Sequence, residues 1–231
     1  VRRIGGGLTP AQVSQIIRSA DSGQMASLID LANEMRQKDG HLQCVLQTLE
    51  TSIACLQWEL VLPGDTKKKK SRRGGPQRKF VEDQLRHHPA FRRMVSHLTG
   101  SRFYGYGVSE IVWERDGGKL LPVDLKNCAA RRFGFRTSDG RLVWRDERMP
   151  IDGVDVRASY PDKFIIAQPY VNGDVACREG LVRLLMWLAL FRNWSLSDWL
   201  QLAEMSWKPY RRGVFKKGAS KEDVANLRNV L

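Results

Sequence analysis

The chain has 231 residues, 42% of them hydrophobic and 27% charged, with a net charge of +13 at pH 7. Those proportions exclude a low-complexity or disordered chain and call for a packed core of one large or two small domains. The positive excess is local: Lys67, Lys68, Lys69, Lys70, Arg72, Arg73, Arg78 and Lys79 supply eight charges, and subtracting these from +13 leaves +5.

The cysteines, Cys44, Cys55, Cys128 and Cys177, form no C-x-x-C pair and have no histidine at zinc-ligand spacing, so they read as reduced thiols. Basic Val1-Arg2-Arg3 is followed by Gly5-Gly6-Gly7, where a secretory leader would carry an apolar stretch. The longest apolar run, residues 181–191, is broken by Arg183. It falls short of the roughly 20 residues that cross a bilayer, so no membrane is expected.

Helices open the chain. Thr9-Pro10 is a start signal, a hydroxyl cap ahead of a proline at the first helical position. Val13, Ile16 and Ile17, then Leu28, Ile29, Leu31, Ala32 and Met35, recur at helical spacing, and Asp21-Ser22-Gly23 separates the two helices. Residues 41–56 predict a third, with Leu42, Val45, Leu46, Leu49, Ile53 and Leu56 as its apolar stripe. Alternation in Trp58-Glu59-Leu60-Val61-Leu62 predicts a strand, so residues 1–62 form an N-terminal helical region with a first strand.

Residues 63–79 predict a basic, flexible loop. A charge run alone does not separate a solvated loop from a contact with phosphate backbone. Helix returns over residues 80–98, interrupted at His87-His88-Pro89. The period then changes to two: residues 108–114 and 120–125 flank the turn Asp116-Gly117-Gly118, and Pro122 marks an edge or a bulge. A second hairpin joins residues 132–136 and 141–145, and residues 163–168 make a further strand. Residues 80–177 are thus expected to hold a small, mainly antiparallel sheet, and the fold class is α+β.

Residues 178–207 are helical and apolar on more than one face. Ser195-Leu196-Ser197-Asp198 has the form of a capping box, which predicts a bend or a fresh start there. Residues 208–218 read as a short basic strand and turn with Lys208, Arg211, Arg212, Lys216 and Lys217. A second box, Ser220-Lys221-Glu222-Asp223, opens a helix over residues 219–231.

No catalytic constellation is present. The sequence lacks G-x-x-x-x-G-K-[ST], G-x-S-x-G and H-E-x-x-H, and Gly5-Gly6-Gly7 precedes every strand. Glu110 and Glu114 lie on the polar side of an alternating pattern, and Asp152 and Asp155 have no histidine near them. A metal nuclease needs converging carboxylates, and no such set is offered. The expectation is a non-enzyme without cofactor or metal. Trp187, Phe191, Trp194 and Trp199 have leucines for neighbours rather than a basic groove, which favours core or subunit-interface packing over base stacking.

Several segments, in order, resemble the Mu-like bacteriophage portal family. They include Leu8-Thr9-Pro10-Ala11-Gln12-Val13, residues 28–35, Asp39-Gly40-His41-Leu42 and Trp58-Glu59-Leu60. The most specific is Gly105-Tyr106-Gly107-Val108-Ser109-Glu110-Ile111-Val112-Trp113-Glu114. Arg131-Arg132-Phe133-Gly134-Phe135, Lys163-Phe164-Ile165-Ile166, Gly180-Leu181-Val182-Arg183, residues 190–199 and Gly218-Ala219-Ser220 complete the series. Residues 64–79 lie outside it as a charged insertion. The resemblance implies a portal-like α+β subunit of a dodecameric homo-oligomeric ring at one vertex of the virion's capsid, assembled in the host bacterial cytoplasm. Its implied partners are the terminase motor, the head–tail adaptor, capsid proteins and double-stranded DNA passing through the channel.

By the same resemblance, residues up to about 177 correspond to the wing, the helix ending near residue 207 leads into the stem, residues 208–218 resemble the clip, and the helix from Ser220 is the returning stem helix. The family's chains continue well past residue 231, so this chain is expected to be their N-terminal part. The rival reading is a sequence-independent nucleic-acid-binding module that uses Lys67, Lys68, Lys69, Lys70, Arg72 and Arg73 with Arg211, Arg212, Lys216 and Lys217. On the portal reading the same residues are candidates for contacts with DNA or a partner.

Overall fold

The fold is known from a computed structural model that describes residues 8–61, 75–145, 153–169, 176–207, 214 and 217–230. It divides into two compact units, residues 1–190 and residues 191–231.

The first unit begins with three helices, α1 (Pro10–Asp21), α2 (Ala26–Lys38) and α3 (Gly40–Ala54). Thr9 caps α1 in a full capping box with Gln12, which satisfies amides that the first turn leaves without partners. Asp39 caps α3, accepting from the amides of His41 and Leu42 at 3.1 Å each. α2 is the most deeply set of the three: Leu28, Ile29, Leu31, Ala32 and Met35 are all buried. α3 differs from its predicted pattern, because Leu46 is its only buried residue.

The strand expected at residues 58–62 does not form over its described part, residues 58–61. Trp58 packs instead on Phe91, with ring centroids 5.4 Å apart, and the Arg86 guanidinium lies 5.0 Å above it. That side chain is held against helices and not presented to a sheet edge. The part of the expected basic loop that is described, residues 75–79, is helical: α4 (Gly75–His87) starts five residues before Phe80 and includes Arg78 and Lys79. Pro76 in its first turn is tolerated, since no intrahelical amide bond is needed there. α5 (Phe91–Thr99) and the single turn α6 (Ser101–Tyr104) follow.

Among the described residues, two three-stranded antiparallel sheets replace the one expected. In the first, β1 (Gly107–Asp116) lies between β2 (Lys119–Asn127) and β6 (Phe164–Ala167). Gly117 and Gly118 at φ 52° and 82° make the tight turn between β1 and β2, as a two-residue hairpin loop requires. β2 is an edge strand, and pairing shifts from Val112–Asp124 to Trp113–Pro122, so Pro122 sits beside a bulge that accommodates its missing amide. The second sheet, in the order β3 (Phe133–Phe135), β4 (Leu142–Trp144), β5 (Val154–Asp155), closes with the one-turn helix α7 (Val156–Ser159). Asp155 caps α7 through the amides of Arg157 and Ala158 and bonds Arg141 at 3.1 Å. The Ala158 amide first, helped by that of Arg157 and by the guanidinium, holds its carboxyl below the ordinary carboxylate value despite some burial.

The main core is shared by α1, α2, the second sheet and the start of α8 (Val182–Trp207). Tyr106 lies at its centre, fully buried, with its ring edge-on to Phe135. Its hydroxyl donates to the Ala130 carbonyl at 2.8 Å, and the Phe133 carbonyl lies at 3.1 Å. Burial pushes this phenol far above its usual value, so it remains a neutral donor. The α1–α2 turn is bonded to β3: Phe135 N–H donates to the Gly23 carbonyl, and Arg145 Nη2 donates to the carbonyls of Gly23 and Phe135. A smaller cluster of Ala90, Met94 and Leu125 joins α5 to the first sheet.

The second unit consists of the later part of α8, described residues 214 and 217–220, and α9 (Lys221–Val230). Ser220 caps α9 in the predicted box: its Oγ accepts from the Asp223 amide at 3.1 Å, while the Asp223 carboxylate accepts from the Ser220 amide at 3.0 Å.

Candidate assembly surface

α8 is 26 residues long and unbroken. The fresh helix start expected near Ser195 does not occur, and the Ser195 hydroxyl turns back to donate to the Phe191 carbonyl at 3.0 Å instead of capping a new helix. The start of α8 is held in the first unit by a backbone crossing. Gly180 has φ 104°, and a Cβ there would meet Gly105 N at 2.7 Å and the Phe103 carbonyl oxygen at 2.9 Å. The contact is reciprocal: a Cβ on Gly105, at φ 95°, would meet the Glu179 carbonyl oxygen at 2.5 Å. Leu181 N–H donates to the Arg102 carbonyl at 3.0 Å across the same crossing. Arg183 adds an ion pair to Asp21 at 2.6 Å, with Arg178 3.8 Å from the same carboxylate oxygen.

Below this anchor the character of α8 changes. Val182, Met186, Ala189 and Leu190 are buried, and Trp187 packs partly against the main core. From Phe191 onward no described residue of the second unit is buried within the chain. Phe191, Leu196, Leu200, Leu202 and Met205 are exposed, as are Trp194 at 44%, Trp199 at 75% and Trp207 at 89%. Phe191 and Trp194 meet edge to face with centroids 6.4 Å apart. Of the four aromatic side chains singled out from sequence, Trp187 reaches the core, while Phe191, Trp194 and Trp199 lie on the surface of the single chain.

Large apolar side chains left exposed on more than one face of a helix mark an interaction site rather than a solvated surface. Each is worth roughly 1.5–3 kcal/mol when fully covered, so several together can exceed the roughly 4–15 kcal/mol that association costs. No helix of the described residues is long and apolar enough to cross a membrane.

Among the basic candidates, Lys217 is exposed in the turn before α9. Lys67, Lys68, Lys69, Lys70, Arg72, Arg73, Arg211, Arg212 and Lys216 lie outside the described residues, and so does Lys208. Among the described residues no cluster of three His, Cys, Asp or Glu could hold a metal ion. The sequence reading missed the Gly105–Gly180 crossing; two separated glycines, each followed by an apolar residue, were its only trace.

The family described as the portal protein of Mu bacteriophage matches residues 29–231. The Mu-like prophage FluMu protein gp29 of Haemophilus influenzae is 26% identical over 236 aligned positions, which take in 97% of this chain and 42% of the relative. A portal protein of Escherichia phage Mu is 24% identical over 222 positions, covering 96% of this chain and again 42% of the relative. The chain therefore spans less than half the length of these curated relatives.

Proposed function

The chain belongs to the portal protein family of Mu bacteriophage, and from that premise we propose that it is a structural portal subunit, a head–tail connector. Twelve copies form the ring at one vertex of the capsid, through which DNA is packaged and later ejected. The observation that carries this reading is the later part of α8, where three tryptophans and their apolar neighbours lie uncovered in the single chain. A ring buries such surface between copies: a contact that joins two different patches of identical subunits closes on itself when the rotation between them divides a full turn. The resident chemistry is packing, with no reaction assigned to any side chain.

In this account residues 8–177 take the place of the wing, α8 leads into the stem, residues 208–218 the clip, and α9 the returning stem helix. The terminase motor, the head–tail adaptor and capsid proteins are its partners. Lys217 with Arg211, Arg212 and Lys216 offers positive charge to DNA phosphates or to acidic groups of a partner, and Lys67, Lys68, Lys69, Lys70, Arg72 and Arg73 form a second basic segment. The test is genetic: removal of this protein from the phage that encodes it leaves heads without packaged DNA. DNA-filled heads in its absence would end the proposal.

A further inference from the structure

We draw no further inference here: the strongest candidate, the polar cavity lined by Trp58, Arg86, His88 and Arg92 between the end of α3 and the N-terminus of α5, points to no ligand beyond that helix N-terminus, because the buried ring nitrogen without a partner there, His88 Nε2, belongs to a side chain that is only half-buried.

Discussion

Replacing Gly180 with Ala tests the backbone crossing that anchors α8. The substitution has two separable costs. At φ 104° an L-residue is strained, which costs about 1–3 kcal/mol. The new methyl would also lie 2.7 Å from Gly105 N and 2.8 Å from the Tyr104 carbonyl carbon. Those neighbours are backbone, which cannot swing aside as the end of a side chain can, and overpacking of this kind adds about 1–3 kcal/mol. The reduced entropy of the unfolded chain returns about 0.4–1 kcal/mol. A net loss of roughly 1–5.5 kcal/mol follows, which at its upper end is a large part of the stability of a typical domain. Gly140→Ala is the control: Gly140 has φ 68°, but a Cβ there meets nothing within 4 Å, so only strain is incurred. Urea unfolding followed by far-ultraviolet circular dichroism compares the two variants. A Gly180→Ala loss no larger than that of Gly140→Ala would refute the close crossing.

Other perturbations address the core, the surface and pH. Tyr106→Phe leaves the Ala130 carbonyl without its donor in a fully buried site, and should cost about 1–3 kcal/mol in chemical unfolding; an unchanged midpoint would show the bond to be unimportant. Trp194→Ala and Trp199→Ala should change the stability of the single subunit by no more than about 0.5 kcal/mol, because both rings lie on its surface, yet weaken ring formation in sedimentation; a large loss of melting temperature in either would place its ring in a core. Burial holds the His97 imidazole below its ordinary value of 6.5, with Nε2 3.1 Å from the Val108 carbonyl. Between that lowered value and 6.5 the unfolded chain binds more protons, so the stability His97 contributes is complete above pH 6.5 and is lost as pH falls below it. Melting temperature should therefore fall less steeply on acidification in His97→Gln than in the wild type, and equal slopes would contradict the linkage.

Local signals in the sequence located most elements. Thr9-Pro10 and Ser220-x-x-Asp223 form the caps their residue types predict, and Asp116-Gly117-Gly118 forms the hairpin. The edge position of β2 and its bulge follow from Pro122, whose ring leaves no amide for a second neighbour. What the sequence concealed was non-local. One sheet and two sheets share the same hairpins, and only the pairing of β1 with β6 and of β4 with β5 separates them. Alternation over residues 58–61 was misleading because Trp58 found a helical partner, and the basic stretch read as loop up to residue 79 ends in the first turns of α4.

The candidate surface was legible only as an alternative. The aromatic series of α8 suggested core or interface, and burial within one chain divides it, with Trp187 on the inner side and Phe191, Trp194 and Trp199 on the outer. The α3 stripe shows the same limit more sharply. Leu46 and Val45 are adjacent and equally apolar in sequence, and only the packing of α3 separates the buried one from the exposed one.

The central claim is that this chain is a ring subunit, and direct imaging of the purified full-length protein tests it. Electron microscopy combined with mass measurement should show closed rings with a central hole and a mass close to twelve subunits. A monodisperse monomer at concentrations where ring subunits assemble would contradict the account, and so would an open filament.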